Sequence, residues 1–353
     1  MGDLKVGVVG LGLGRHYVAA YAASEHVGRL VVCDPDADRV AKMKQAHPEV
    51  AEGYEKLEIM LAAEGLDAVS VVTPDHLHRP HTEQCFRAGC HVLQTKPLAT
   101  NLEDARAIVS ASEAANRILM VAHERRFRSR YRAIKEILEM GDLGEIVHLR
   151  VDAIQDKRGQ FARSPWYASA EAGRTALVGS GIHEVDLVRF LMDRPIVSVS
   201  AYSNRIGTLK FPKDKTTAAL FQFEGDAVGQ VTVTYEAHWP KGKRLDDHFR
   251  LVGTRGLVVG DQVGRDGLSG WETLSTDASE IVTGCAGCVH AFLDSVVHGT
   301  EVAVSGQDAF DSLAACVAAD ESAAKGEPVV PEALSGSFGQ QQNDYFLGGA
   351  SSL

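Results

Sequence analysis

Positive charge is what this 353-residue chain is short of: 36 lysines and arginines stand against 47 acids, a net charge of −11. A nucleic-acid interface needs a basic face, which excludes nucleic acid as the main partner. The short clusters Arg125-Arg126 and Lys241 to Arg244 read as solvated faces or small-anion contacts. Long apolar runs are missing too. None approaches the roughly 20 residues that a membrane-spanning helix needs, so no membrane partner is expected. Met1 to Lys5 lead straight into the first apolar run and leave no room for a signal peptide, which predicts a cytoplasmic protein. Cysteine is sparse: Cys33, Cys85, Cys90, Cys285, Cys288 and Cys316. Cys285-Ala286-Gly287-Cys288 has no second pair to complete a four-ligand zinc site, and reads as reduced thiols at a helix start. Internal repeats and low-complexity stretches are also absent. What remains, 45% hydrophobic and 24% charged, is the composition of a globular protein whose length suggests two domains.

The chain is well supplied with glycine at one telling place. Gly10-Leu11-Gly12-Leu13-Gly14-Arg15 follows the apolar run Val6–Val9 and precedes an apolar-periodic segment, Tyr17 to Ala23. The next apolar run, Leu30–Cys33, ends at Asp34. Strand, glycine turn, helix, strand and acid is the order of a dinucleotide-binding βαβ unit. Gly10 permits the tight turn and Gly12 a close approach to a pyrophosphate. A helix starting near Arg15 aims its N–H groups at that anion. Asp34, twenty residues beyond Gly14, is placed to accept the ribose hydroxyls and to repel a 2′-phosphate, which favours NAD over NADP. The third glycine arrives at position 14 where the usual spacing would put it at 15, so the loop is one residue short.

Apolar runs at Lys5–Val9, Leu30–Cys33, Ala68–Val72, His91–Gln94 and Ile118–Ala122 alternate with helical patterns at Ala37–Ala46, Tyr54–Ala63, His81–Ala88 and Leu102–Ala115. That alternation predicts an α/β domain, a doubly wound parallel Rossmann sheet over residues 1–123. After His123 the pattern changes. A helix at Ser129–Met140 stops at Gly141–Gly144, and period-two strands follow at Ile146–Ile154, Ile196–Tyr202, Thr217–Phe223 and Val228–Tyr235. A strand pair, Phe249–Val252 and Leu257–Gly260, flanks a glycine turn, with helices at Gly181–Leu191, Val289–His298 and Asp308–Lys325. Residues 124–353 therefore read as an α+β domain with a large, mostly antiparallel sheet for substrate binding and oligomerisation. The Gly-, Gln- and Ser-rich tail, Ser335 to Leu353, reads as a flexible or partner-docked end.

Ligands of open α/β sheets bind beyond the carboxyl ends of the strands. Three segments stand there: Thr73-Pro74-Asp75-His76-Leu77-His78, Thr95-Lys96-Pro97, and Gly179 to Asp186. His76, His78 and His81 are dense in imidazole, yet no acid or thiol is spaced to complete a shell, so no metal is expected. His78 instead reads as lining the cofactor pocket. Trp166 and Tyr167 can stack on a sugar ring or belong to the core, as can His238 and Trp239.

These segments together resemble the glucose–fructose oxidoreductase/inositol dehydrogenase/MocA (Gfo/Idh/MocA) family of NAD(P)-dependent oxidoreductases, from Val6 to about Val330. The resemblance is carried by the glycine loop with Asp34, by Asp67–Pro74 with His78, and by Ala88–Ala99 around Lys96-Pro97. Arg126-Phe127, Gly141–Gly144, Leu251–Gly256, Ser305–Ala309 and Gly326–Val329 add to it. It implies an NAD-dependent enzyme moving a hydride between a nicotinamide and a secondary alcohol of a sugar, sugar derivative or cyclitol. It also implies a homodimer or homotetramer paired through the open sheet. Lys96, His183 and Asp186 are the expected catalytic residues, with Asp186 three residues on from His183 on one helix face, placed to orient or charge the imidazole. Gly10, Gly12, Leu13, Gly14, Arg15, Asp34, Thr73, Pro74, His78, Thr95, Lys96 and Pro97 are expected at the cofactor, and Arg126, Trp166 and Tyr167 at the substrate. Two family acids are replaced, by Thr95 before the lysine and by Gly179 ahead of the histidine. Those exchanges leave open an NAD-binding sensor without catalysis, and the same hydride step would also serve a glycoside-cleaving enzyme that oxidises its sugar transiently.

Overall fold

Strands covered on both faces are near-continuous apolar runs, and six short ones build the first domain. In the computed structural model, which describes residues 2–239, 249–274 and 284–334, the chain opens with β1 (Leu4–Val9), α1 (Leu11–Ala22), β2 (Val27–Cys33), α2 (Ala37–Ala46), β3 (Val50–Tyr54) and α3 (Leu57–Glu64). It continues through β4 (Ala68–Val71), α4 (His78–Arg87), β5 (His91–Thr95), α5 (Leu102–Ala115) and β6 (Leu119–Ala122). The sheet order is β3-β2-β1-β4-β5-β6, every pair parallel. Strand order reverses between β1 and β4, which opens a crevice at their carboxyl ends.

Three local expectations are corrected. The helix expected over Tyr54–Ala63 is the shorter α3, and Tyr54 instead ends an unexpected edge strand, β3. Only Val50 is fully buried in β3, so backbone pairing with β2 makes the strand without an apolar run to announce it. α4 begins three residues earlier than expected, because Pro80 falls in its first turn, where a missing N–H costs nothing. α1 begins at Leu11 and not near Arg15, so the shortened glycine loop lies within the helix's first turn.

The second part runs α6 (Ser129–Glu139), β7 (Ile146–Ile154), α7 (Arg158–Arg163), α8 (Ile182–Met192), β8 (Ile196–Asn204), β9 (Thr216–Phe223) and β10 (Val228–Thr234). Then come β11 (Phe249–Gly253), β12 (Gly256–Val259), β13 (Gln262–Arg265), β14 (Glu272–Thr273), α9 (Gly284–His298) and α10 (Gly306–Lys325). Eight strands order as β14-β13-β12-β11-β7-β10-β9-β8, antiparallel except where β7 meets β10. Along β9, Thr217, Ala219, Phe221 and Phe223 are buried while Leu220 and Gln222 face outward. The inner face carries α8 against β7 and β10, and α10 against β8. α9 and α10 also return to the first domain, packing on α1 and α5. α10 is fixed at both ends, Ser305 accepting the Asp308 N–H and Gly326 closing it at φ +75°. No described helix is long and apolar enough to cross a membrane. The tail from Ser335 and the basic cluster Lys241 to Arg244 lie outside the described residues.

Gly10 is the backbone's fixed point. It sits at φ +89°, and a Cβ there would lie 2.5 Å from the Val72 carbonyl oxygen on β4's extension. Gly10→Ala combines that overlap with left-handed strain, and is expected to cost at least about 2 kcal/mol. Urea denaturation should show a lowered midpoint; an unchanged midpoint would remove Gly10 from this role.

Candidate active site

A cavity of about 650 Å³ opens between the crevice and the second sheet, within the range of small-molecule sites. Its first wall is the start of α1 and the ends of β5 and β6. On this side the glycine turn fits a dinucleotide. A Cβ on Gly12 would meet nothing within 4 Å, leaving open approach to the backbone of the helix N-terminus. Gly14 serves packing, since a Cβ there would lie 3.2 Å from Val8 Cγ1. The first N–H groups of α1 have no partner inside the helix and point at the place where an anion is stabilised. One of them is already held: the buried Asp34 carboxylate accepts from Leu11 N at 2.7 Å and from Asp36 N at 3.0 Å. Arg39 lies 3.5 Å from the same carboxylate, and Arg15 donates to Gly12 O at 2.9 Å.

Thr95 and Lys96 reach the cavity from the end of β5, and the Lys96–Pro97 peptide is cis. His78 does not line it, contrary to expectation. The ring is fully buried, with Nδ1 2.7 Å from Pro97 O and Nε2 3.0 Å from Thr73 O, so it ties the β4 and β5 loops together. His81 turns instead to Thr73 Oγ1 at 3.2 Å, and His76 to the edge of Trp166. The three imidazoles share no point at which an ion could sit. Among the described residues, the grouping with metal-ligand spacing is His26, Asp294 and His298, largely exposed and outside this cavity.

The opposite wall is built where the chain enters α8 through a widened π-helical turn, Leu177–Gly181. Lys96 Nζ donates to Gly179 O at 3.0 Å, joining β5 to that turn. Burial, and then the nearby Arg174 guanidinium, lower the Lys96 ammonium to about 8. His183 also lines the cavity, and its Nδ1 is buried with no hydrogen-bond partner. Burial, followed by the charges of Lys96 and Arg125, pushes its pKa well below the ordinary value, so the ring is neutral at pH 7.

Asp186 does not partner His183. Its carboxylate accepts two bonds from Arg126, Nε at 2.9 Å and Nη2 at 2.7 Å, and a third from Ser312 at 3.1 Å. Burial alone would raise this carboxyl; Arg126 overrides it and holds it at about 2. The His183 ring meets His123 edge-on at 6.4 Å instead. A bidentate guanidinium outcompetes an imidazole for a buried carboxylate. The same pair removes Arg126 from the substrate, since it is 8% exposed and spent on Asp186. Trp166 is corrected as well: it stacks on Tyr167 at 3.9 Å, and of the two only Tyr167 faces the cavity. Outside the cavity wall, Trp239 donates to Ile154 O at 3.3 Å and His238 lies against Arg158.

Several wall residues escaped the sequence reading, among them Tyr17, Arg125, Lys157, Gln160, Arg174 and Cys285. Arg174 carried a signal, a lone charge within the apolar stretch Ala172–Val178, next to the glycine that replaces a family acid. Cys285 stands in the first turn of α9, its thiol raised to about 11 by burial and Glu124, as befits a reduced side chain.

A glycine-turn helix terminus facing a lysine and a neutral histidine across one cavity defines a dinucleotide-dependent oxidoreductase. The chain belongs to the GFO/IDH/MocA family: the family's NAD-binding Rossmann-fold model matches residues 4–123 and its C-terminal domain model residues 131–259. It is 27% identical to inositol 2-dehydrogenase 3 of Saccharopolyspora erythraea, covering 94% of this chain and 96% of that protein. D-apiose dehydrogenase of Rhizobium rhizogenes is 26% identical, with 93% and 98% covered. Among solved structures, levoglucosan dehydrogenase in complex with NADH superimposes with a TM-score of 0.82 at 25% identity, covering 94% and 99%.

The open space over Gly12 separates binding from stability. Gly12→Ala should leave thermal unfolding unchanged or up to about 1 kcal/mol more favourable to the fold, since alanine suits a helix better. NADH titrated by its fluorescence should bind at least tenfold more weakly. Unchanged NADH affinity would place the pyrophosphate elsewhere.

Proposed function

We propose that this protein is an NAD-dependent dehydrogenase acting on a secondary alcohol of a sugar, sugar derivative or cyclitol. The observation that carries it is the meeting of Lys96 and His183 on one cavity that also opens to the α1 N-terminus. The nicotinamide, when bound, supplies the hydride acceptor. The hydroxyl proton needs a base matched to the working pH, and Lys96 at about 8 is better matched than the depressed His183. Neutral Lys96 spends one N–H on Gly179 O and keeps its lone pair for that proton. His183, neutral, donates to the same substrate oxygen and polarises it as the carbonyl forms. The relatives named above, an inositol, an apiose and a levoglucosan dehydrogenase, support a polyol as substrate. Asp34 supports NAD over NADP, because a buried carboxylate beside the ribose site repels a 2′-phosphate.

The test is a panel of sugars, sugar acids and inositols offered with NAD and NADP in parallel, read as nicotinamide reduction. Net NADH from a free polyol is expected, preferentially with NAD. Aryl-glycoside cleavage without net NADH would instead support the glycoside-cleaving reading, and no turnover at all the sensor. Because the base must be unprotonated, kcat/KM for oxidation should rise with pH through a midpoint near 8 and level off above it. Lys96→Ala should lower kcat by about 10²–10⁴ and abolish that limb. A pH profile that is the same in the variant would exclude Lys96 as the base.

We further propose that the outer face of the second sheet pairs with another copy of the chain, supported by Tyr202, 82% exposed, and Leu220, 49% exposed, on adjacent strands. Tyr202→Asp with Leu220→Asp should reduce the mass seen by light scattering to that of one chain; a wild-type monomer would refute the pairing.

A further inference from the structure

At the turn into α8, where the resemblance leads one to expect a carboxylate, this chain places a cation. Gly179 has no side chain, and the Arg174 guanidinium fills the space: a Cβ on Gly179 would fall 2.6 Å from Arg174 Nη2 and 2.8 Å from its Cζ. No aspartate fits while Arg174 stands there. Arg174 is 4% exposed, lies 4.9 Å over the Tyr167 ring, and donates through Nη2 to Gly179 O, the oxygen that also takes Lys96 Nζ. Two cations thus converge on one carbonyl. Asp75 Oδ2 lies 3.1 Å from Arg174 Nη1 as an ion pair without the alignment of a hydrogen bond, so the guanidinium keeps donor capacity. Lys96, Arg125, Lys157 and Arg174 line the cavity with one carboxylate, Glu124, while Glu184 and Asp75 pair with Arg125 and Arg174 from outside the lining.

We propose that the substrate is a polyhydroxy acid, an aldonate or uronate, whose carboxylate is received by Arg174 and the adjoining Lys157 side of the cavity. Its reacting hydroxyl lies at Lys96 and His183, a placement that rests on the oxidoreductase reading above. Guanidinium offers a planar fork of donors to a carboxylate, and Tyr167 holds that fork flat from behind. Gly179 and Arg174 then act together, since the bare glycine leaves the room that the guanidinium occupies.

The experiment uses ligand pairs that differ in charge, D-gluconate against D-glucitol and D-glucuronate against D-glucose. Each is titrated into the NADH-loaded enzyme at pH 7 by nicotinamide fluorescence, and each is also assayed for NADH formation with NAD. The acid of at least one pair should bind at least tenfold more tightly than its neutral partner. Arg174→Gln should weaken the acid at least tenfold more than its neutral partner, and Arg174→Lys should retain part of the preference. Equal binding within both pairs, no binding by either acid, or equal loss of acid and neutral ligands in Arg174→Gln would overturn the anion site. The two readings fail separately. Acids that bind through Arg174 without NADH formation from any polyol leave this inference standing and remove the dehydrogenase. Neutral polyols oxidised as well as acids do the reverse.

Discussion

The buried ion pair between Arg126 and Asp186 is the joint on which the site turns. Arg126 follows β6 at the edge of the first sheet, and Asp186 lies in the second turn of α8. Ser312, on α10, adds a third bond, and His123 closes in at 3.6 Å. The segment after β6, α8 and α10 therefore meet at one carboxylate. Burying two charges is costly unless each is fully bonded, and breaking the pair leaves the survivor stranded. The pair thus fixes the rotation of α8 and, one turn earlier, the directions of His183 and the Gly179 carbonyl. The cavity wall is set by an ion pair that does not itself line the cavity.

Much of the first domain was legible because its cause is local. Valine-rich runs and glycine punctuation follow from strand burial and turn geometry, and the structure has the strands in that order, with Asp34 directly after β2. β3 was illegible for the opposite reason. Val50-Ala51-Glu52-Gly53-Tyr54 has no pattern of its own and becomes a strand by borrowing the free edge of β2. The mixed character of the second sheet was hidden in the same way, since one parallel pair, β7 with β10, arises from long-range pairing that no alternation records.

At the site the division is sharper. Lys96 and His183 were legible as types and positions. Their surroundings were not, because helical spacing offers Asp186 to His183 while only the fold reveals that Arg126 has already taken it. Arg126, read as a substrate residue, has the same explanation from the other side. His78 and Trp166 were misplaced by one layer: each stands directly behind a loop or ring that does reach the cavity. Arg174 shows what a missing residue can signal. Gly179 looked like a loss, and its meaning lay five residues upstream in the side chain that needs the vacated room.

Asp34 carries a burden beyond the cofactor choice proposed for it. Its carboxylate accepts the Leu11 N–H, so the group proposed to discriminate at the ribose also holds the start of the first helix. Redesigning this enzyme toward a phosphorylated cofactor by replacing that acid would therefore unpin the helix that must hold the new ligand. A replacement for that acid must bring its own acceptor for Leu11, so the carboxyl end of β2 and the start of α1 can be altered only together.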